Sequence, residues 1–447
     1  MSVRPSVLSA VILVDDPALA SRRVAGLTVL TRLVRQMCDA GIARLYLVGT
    51  DTDQLETMYK DVEERLGCDV HVRIKGTKDP ALLPALQLPK GVCFVTRASL
   101  SMHPGLLPDV LAYVDIPEED TFASIAMTKG GETLAAFVEP QAVRSSRPLD
   151  EVLNGHQGAE YVVDDSGFHA VDIHSEGDAK VAEKLLFASV KKPLDVDGVI
   201  CYLMSRDVSL SITKRLLRLP ARVRPWHVTL AALLLGLAGG IFAAVGGYWA
   251  MLLGAFLYQC STICDNVDGE IARLTYQGSY WGQWIDTLSD DVTNIFFAMG
   301  MGVGLSRGLG AFPGHWDWYW VLSLLTVLML CTYNFFIYRY LLKYTDTGDV
   351  FAYTWFFDEP AADAADESAE AAAPEEKTLF GKIMYYIKFV GRRDFFIFSF
   401  LILALFDLLY IGVIAMFIAG GITFALVIVQ EIWHNEHVRK APRPPAA

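Results

Sequence analysis

The chain has 447 residues, of which 53% are hydrophobic, and its formal net charge is −13. Such an acidic balance argues against nucleic acid as a partner, because polyanions attract basic surfaces. The seven cysteines form no C-x-x-C pair and no Cys/His zinc spacing, so neither a redox pair nor a zinc site is expected.

Residues 1–190 alternate short β-rich runs with amphipathic stretches. Strand signals lie at residues 10–14, 45–48, 70–74 and 92–96, and helix signals lie at residues 28–40 and 54–66. Strands separated by helical patterns are typical of a parallel sheet. We therefore predict an α/β soluble domain, Rossmann-like and with a mostly parallel sheet, over residues 1–190.

Residues 195–224 interleave basic and apolar side chains at helical spacing. The basic ones are Arg206, Lys214, Arg215, Arg218, Arg222 and Arg224. This pattern could belong to a surface helix of a globular domain. Because the first long apolar run follows directly, we favour an interfacial amphipathic helix that lies on the membrane.

The remainder, residues 225–440, is predicted to be an all-α membrane domain with six spans. The apolar segments lie at residues 228–245, 249–263, 284–304, 318–338, 395–408 and 411–432. A span needs about 20 mostly apolar residues, so the second and fifth segments should extend into less apolar flanks. Tyrosine and tryptophan cluster at the segment ends, as in interfacial belts.

Charges in the connecting segments predict the orientation. Lysine and arginine are concentrated before the first span, between the fourth and fifth spans, and in the tail, whereas the short loops on the opposite side carry only Arg307. The positive-inside rule then places both termini in the cytoplasm of a multi-pass inner-membrane protein. The stretch 358–376, rich in Ala, Asp, Glu and Pro, is expected to be a disordered insert.

Four aspartates on two consecutive helices form the most informative pattern. Asp265 and Asp268 are three residues apart, and Asp286 and Asp290 are four apart, so each pair lies on one helical face. Two neighbouring helices can therefore direct four carboxylates into one small volume. Such a cluster needs cations, and hard divalent ions such as Mg²⁺ or Mn²⁺ prefer oxygen ligands. A pair of ions also suits phosphoryl chemistry, because it can stabilise both the attacking and the leaving oxygen.

Each of these residues alone has an ordinary explanation, since acidic residues near a helix end are usually solvated or cap the helix. Intramembrane carboxylates also mark ion pathways, which makes a transporter the alternative function. We find no internal repeat of the kind that transporters often carry. A non-catalytic scaffold is the third possibility, and the intact pattern argues against it.

Residues 265–290 match the pattern D-x2-D-G-x2-A-R-x8-G-x3-D-x3-D at every defined position. The chain therefore resembles the CDP-alcohol phosphotransferase family of membrane enzymes, from about residue 195 onwards. These enzymes transfer a substituted phosphate from a CDP-alcohol, such as CDP-diacylglycerol, to a hydroxyl acceptor and release CMP. The resemblance departs at one point: the family's Pro-Asn-x-Val-Thr entry to the first span reads Pro225, Trp226, His227, Val228, Thr229 here, without the asparagine.

The resemblance implies a role for each residue of the pattern. Asp265, Asp268 and Asp286 would hold the metals with Asp290 near them, and Asp290 would be the general base. The cytidine diphosphate moiety would be cradled by Gly269, Ala272, Arg273 and Gly282. A homodimer in the lipid bilayer is also expected.

The amino-terminal domain weakly resembles sugar-nucleotide transferases and cytidylyltransferases, as in bifunctional inositol-phosphate cytidylyltransferase/di-inositol-phosphate synthases. The phosphate loop after the first strand should contain glycine, yet residues 15–21 contain none. Arg97 stands where the metal-binding aspartate is expected. We predict a catalytically silent domain. The fusion favours a phosphorylated polyol such as inositol phosphate as the acceptor. An acceptor phosphate, anionic lipid headgroups or solvent could each be the partner of Arg215, Arg218, Arg392 and Arg393.

Overall fold

The computed structural model describes the chain in eleven segments. The described residues are 8–42, 44–66, 70–89, 91–113, 124–155, 159–192, 197–219, 223–307, 316–345, 347–355 and 393–437. The predicted insert at 358–376 and Arg392 lie outside them. Two compact units are present, one of Met1–Lys191 with Leu274–Tyr276, and one of Lys192–Arg273 with Gln277–Ala447.

The amino-terminal unit is built from strands and helices in alternation. Its strands are β1 (Leu8–Val14), β2 (Arg23–Val24), β3 (Leu27–Thr28), β4 (Arg44–Gly49), β5 (His71–Gly76), β6 (Leu82–Leu83), β7 (Val92–Arg97), β8 (Leu100–Met102), β9 (Ile125–Lys129), β10 (Glu132–Val138), β11 (Arg147–Pro148), β12 (Glu160–Val162) and β13 (Ala170–Asp172). Its helices are α1 (Pro17–Ala20), α2 (Val29–Asp39), α3 (Thr52–Leu66), α4 (Leu106–Tyr113), α5 (Leu149–Asn154) and α6 (Glu176–Ser189).

Seven strands form the main sheet in the order β12-β9-β10-β7-β1-β4-β5. The pairs β1–β4, β1–β7, β4–β5 and β9–β12 are parallel, and β10 is antiparallel to both of its neighbours. Both faces of β1 are buried: Ile12 packs into one apolar cluster and Val11 into the other. Double-sided burial explains the unbroken apolar run of this strand. The predicted α/β class with a mostly parallel sheet is confirmed.

The regular elements of the carboxyl-terminal unit are helices in the part of the chain that the structure describes. A π-helical stretch, Cys201–Ser205, leads into α7 (Arg206–Arg218), followed by α8 (Pro225–Val245), α9 (Tyr248–Thr275), α10 (Tyr280–Ser306), α11 (Trp316–Tyr344), α12 (Arg393–Leu405) and α13 (Leu409–His437). The six helices α8 to α13 lie at the positions predicted for spans. In α7, Ile212 and Leu216 pack beside Val267 of α9, so part of its apolar face is covered by protein.

Three of these helical stretches are long and apolar enough to cross a membrane: Pro225–Val245, Trp318–Tyr344 and Leu409–Trp433. They indicate a membrane protein. Among the described residues, α9 and α10 contain the motif aspartates and α12 has only 13 residues. The count of six spans therefore stays a prediction.

Glycines bring α8 and α10 into backbone contact. A Cβ added to Gly300 would lie 2.2 Å from the carbonyl oxygen of Gly240, and one added to Gly304 would lie 2.0 Å from that of Ala243. Small residues permit this close approach between apolar helices. The packing fixes α10, and with it two motif aspartates, against the first apolar helix.

Candidate functional site

Three motif carboxylates converge between α9 and α10. Asp265 comes from α9, and Asp286 and Asp290 come from successive turns of α10. Each offers an oxygen, and these oxygens lie within 4.8 Å of one another. The spacing of four residues places Asp286 and Asp290 on one face of their helix, so both can meet Asp265.

The donor set fits a hard divalent cation. All the ligand candidates are carboxylate oxygens, which Mg²⁺ and Mn²⁺ prefer. The side chain of Asp286 is partly buried, and its Oδ1 has no hydrogen-bond partner among the described residues. A buried acceptor without a partner is costly, and a bound cation would satisfy it.

Asp268 lies outside this group of three carboxylates. Its side chain is 5% exposed, and Thr229 of α8 donates its hydroxyl hydrogen to Oδ2 across 2.5 Å. The threonine of the sequence Pro-Trp-His-Val-Thr thus contacts the second aspartate of the motif. This links the entry of the first apolar helix to the helix that carries the motif.

Arg393, at the start of α12, contributes a positive charge to the carboxylate group. Its Nη1 lies 3.3 Å from Oδ2 of Asp265 and also contacts Asp290. Its Nη2 donates to Thr293 Oγ1 at 3.4 Å. The sequence suggested an acceptor phosphate, a lipid headgroup or solvent as the partner of this arginine, whereas the structure places it among the carboxylates.

The residues expected to cradle the nucleotide lie on the same two helices. An added Cβ at Gly269 would lie 3.4 Å from Nη1 of Arg273, so these two residues are neighbours on α9. Ala272 is partly buried. Gly282 is exposed in the first turn of α10, where its N–H donates to Ser279 Oγ at 3.0 Å.

Sequence analysis missed Glu270, an undefined position of the pattern, and Asp291, the residue after its last position. Glu270 is fully buried and accepts hydrogen bonds from α7. Asp291 accepts from Asn334 Nδ2 at 2.6 Å and from the hydroxyl of Tyr338. The available signal was a carboxylate in an apolar helix, which requires a polar partner somewhere in the fold.

In the amino-terminal unit, Arg97 ends β7 and Asp15 follows β1, its parallel neighbour. Nη1 of Arg97 lies 3.2 Å from Oδ2 of Asp15, and Nη2 contacts Asp150. Carboxyl ends of adjacent parallel strands are where α/β sheets bind ligands. In this protein the ion pairs of Arg97 with Asp15 and Asp150 lie at that edge.

Comparison with known proteins finds similarity in the carboxyl-terminal unit. Residues 222–357 match the CDP-alcohol phosphatidyltransferase family. The "Bifunctional IPC transferase and DIPP synthase" of Aquifex aeolicus is 27% identical over 169 residues, 38% of this chain and 36% of that protein. The protein of the same name from Archaeoglobus fulgidus is 29% identical over 127 residues, 28% of this chain and 24% of that protein. The chain thus matches about a third or less of each relative's length.

Solved structures resemble about two fifths of the chain. The inositol-1-phosphate CTP transferase from T. maritima covers 40% of this chain and 94% of its own, with 13% identity and a TM-score of 0.31. HddC from Yersinia pseudotuberculosis covers 40% and 98%, with 9% identity and a TM-score of 0.30. The α/β class of the amino-terminal unit follows from its strand order and its parallel strand pairs.

Proposed function

With a CDP-alcohol phosphatidyltransferase domain at residues 222–357, we propose that the chain transfers a substituted phosphate from a CDP-alcohol to a hydroxyl acceptor. The observation that supports this most directly is the group of three carboxylates, with oxygens within 4.8 Å, on the helices that carry the family pattern. A phosphodiester forms, and CMP leaves.

The reaction requires a base, a nucleotide site and charge neutralisation. The acceptor oxygen attacks the phosphorus that bears the alcohol, the bond from that phosphorus to the oxygen of CMP breaks, and Asp290 takes the acceptor's proton. Asp265, Asp268 and Asp286 would hold Mg²⁺ or Mn²⁺, which when bound neutralises charge on the phosphate oxygens. Gly269 and Ala272, which lack bulk, leave room for the diphosphate.

Arg273 and Gly282 complete the proposed nucleotide site. Arg273 is an exposed residue with its guanidinium next to Gly269, so it can pair with phosphate oxygens. Gly282 lies in the first turn of α10, where its own N–H is bonded to Ser279 Oγ, and the positive end of a helix favours anions. These positions support a site in which the diphosphate lies between the two helices.

The acceptor that we propose is a phosphorylated polyol of the inositol phosphate type. The support is the name of the relatives, each called a bifunctional IPC transferase and DIPP synthase. The donor would be CDP-diacylglycerol or a CDP-polyol. A panel of radiolabelled polyol phosphates, glycerol phosphate and serine, each tested with both donors, would identify the pair.

Release of CMP tests the reaction itself. Purified full-length protein with Mg²⁺, donor and acceptor should release CMP, and Asp290→Asn should lose about 10²–10⁴-fold in rate while still binding Mn²⁺ and donor. An amide fills the same space and cannot accept the proton. Near wild-type turnover of Asp290→Asn would refute the base assignment. Ion flux through liposomes without CMP release would instead favour the transporter.

We also propose that six spans place both termini and the carboxylate group on the cytoplasmic side. In a cysteine-free background, Gly278→Cys and Arg392→Cys should react with a membrane-impermeant thiol reagent in inside-out vesicles only. The positive-inside distribution of lysine and arginine supports this orientation. Labelling from the outside would reverse the topology and the access route of the donor.

A further inference from the structure

A buried charge network joins α7 to the motif helix α9. Glu270 is 0% exposed, and Arg206 of α7 donates from Nη1 to its Oε1 at 2.8 Å. Two hydroxyl groups one turn apart on α7 also donate hydrogen bonds to Glu270. Ser209 Oγ lies 2.5 Å from Oε1, and Thr213 Oγ1 lies 2.6 Å from Oε2. Both oxygens of this buried carboxylate therefore have donors.

Arg206 connects Glu270 to a second carboxylate. Its Nε donates to Asp197 Oδ2 at 2.7 Å and its Nη2 to Oδ1 at 2.5 Å, a bidentate arrangement. The side chains of Arg206 and Asp197 are 2% and 4% exposed. An arginine fork with both carboxylate oxygens fixes orientation as well as distance.

The same stretch of chain is attached at a second point beside the carboxylate group. The N–H of Cys201 donates to Oδ2 of Asp394 at 3.0 Å. Asp394 directly follows Arg393, which contacts Asp265 and Asp290. Residues 197–213 are thus bonded to Glu270, in the middle of the motif, and to Asp394, the residue after Arg393.

Glu270 lies inside the pattern, between Gly269 and Ala272. Successive residues of a helix point about 100° apart, so a rotation that moved Glu270 away from Arg206 would turn Gly269 and Arg273 by the same angle. A buried ion pair often contributes little net stability compared with apolar residues of similar size, but it requires one arrangement of its partners. The network is suited to setting the rotation of α9.

We propose that Asp197, Arg206 and Glu270 are positioning residues that hold Gly269 and Arg273 in the orientation that binds the cytidine nucleotide. The proposal rests on the proposed function, because it assigns these residues to the nucleotide site of that reaction. None of the three needs to touch the nucleotide. The ligand class is a cytidine phosphate, and the reaction's product CMP is a suitable probe.

The hydroxyls on α7 provide a mild test with a matched control. Ser209→Ala with Thr213→Val removes two donors to Glu270, whereas Ser211→Ala removes an exposed hydroxyl that bonds only to the backbone of Asp207 in its own helix. CMP binding to the full chain in detergent with Mn²⁺ should weaken about tenfold in the double variant. It should be unchanged in Ser211→Ala. Equal affinity of both variants would overturn the proposal.

An apolar replacement separates positioning from stability. In Asp197→Leu/Arg206→Met/Glu270→Met the buried charges are exchanged together, which is often neutral for stability. We expect a melting temperature near that of the wild type, with CMP affinity still reduced about tenfold or more. Wild-type CMP affinity in this stable variant would show that the network only stabilises the fold.

Three outcomes distinguish this inference from the proposed function. If the wild type does not bind CMP with Mn²⁺, the proposed function fails and the inference fails with it. If the wild type binds CMP and both network variants match it, only the inference fails. If the triple variant does not fold, the result for the hydroxyl pair decides.

Discussion

Arg393 forms an ion pair with Asp290, the carboxylate that we propose as the general base. The same guanidinium lies 3.3 Å from Asp265 Oδ2, so it neutralises part of the charge that a divalent cation would neutralise. A cation that binds among these carboxylates must compete with this arginine.

Arg393→Met should therefore bind Mn²⁺ more tightly than the wild type while transfer activity falls. The affinity rises because a competing positive charge is removed, and a gain of about tenfold corresponds to about 1.4 kcal/mol. Titration of Mn²⁺ by electron paramagnetic resonance measures it. Arg307→Met is the control, because Arg307 donates to the carbonyl of Val245 and has no part in the proposed site. Weaker Mn²⁺ binding in Arg393→Met would contradict the prediction.

Asp265→Ala and Asp268→Ala should each weaken Mn²⁺ binding by about tenfold or more, because each removes an anionic oxygen donor. Thr229→Val should reproduce a smaller part of the Asp268 effect, since it removes only the hydrogen bond to Oδ2. Thr332→Val is the matched control, because its exposed hydroxyl bonds only within its own helix. Unchanged affinity in both aspartate variants would assign the pair a structural role.

The amino-terminal unit should show no cytidylyltransferase activity. Arg97 pairs with Asp15 and Asp150 at the strand ends, and a guanidinium cannot coordinate a cation. The test incubates full-length protein with CTP, Mg²⁺ and a panel of sugar and polyol phosphates, and measures pyrophosphate. Heat-denatured protein gives the background. Turnover above it would show that the unit makes the CDP-alcohol itself.

Gly300→Ala should lower the melting temperature, because its Cβ would lie 2.2 Å from the carbonyl oxygen of Gly240. Overpacking of this kind costs about 1–3 kcal/mol. Gly278→Ala is the control, since a Cβ there meets no atom within 4 Å. Thermal unfolding of both variants in one detergent compares them. A shift in Gly300→Ala no larger than that in Gly278→Ala would mean that the two helices can separate freely.

The amino-terminal unit should lose stability as the pH falls from about 6.5 to about 4. Burial, followed by the positive charge of His103 and Lys129, lowers the pKa of His169 to about 4. In that window the unfolded chain binds a proton that the folded chain does not, so the free energy of unfolding decreases with falling pH. We expect a loss of roughly 2 kcal/mol after allowing for partial exposure.

Hydrogen exchange of peptides from the main sheet, corrected for intrinsic rates at each pH, would measure this loss. His169→Asn should flatten the dependence, because it removes the titrating group, and exposed His71→Gln should leave it unchanged. If the free energy of unfolding of His169→Asn depended on pH as steeply as that of the wild type, other titrating groups would be responsible.

Local sequence patterns were enough to predict many of the strands and helices and the aspartate pattern of the candidate site. Alternating β-rich and amphipathic runs predicted β1, β4, β5 and β7 with α2 and α3 between them, because side-chain periodicity reports directly on local structure. The eight defined positions of the aspartate pattern pointed to the family that residues 222–357 match. Helical spacing also predicted that aspartates of two helices could meet.

Tertiary structure decided which charges meet. Arg393 is 128 residues from Asp265, and Arg206 is 64 residues from Glu270, so no sequence periodicity relates them. Asp268 accepts a hydrogen bond from Thr229, 39 residues away, because the packing of α8 against α9 brings that hydroxyl to it. Ion pairs in an apolar environment form wherever packing brings opposite charges together, and that depends on long-range contacts that local spacing does not encode.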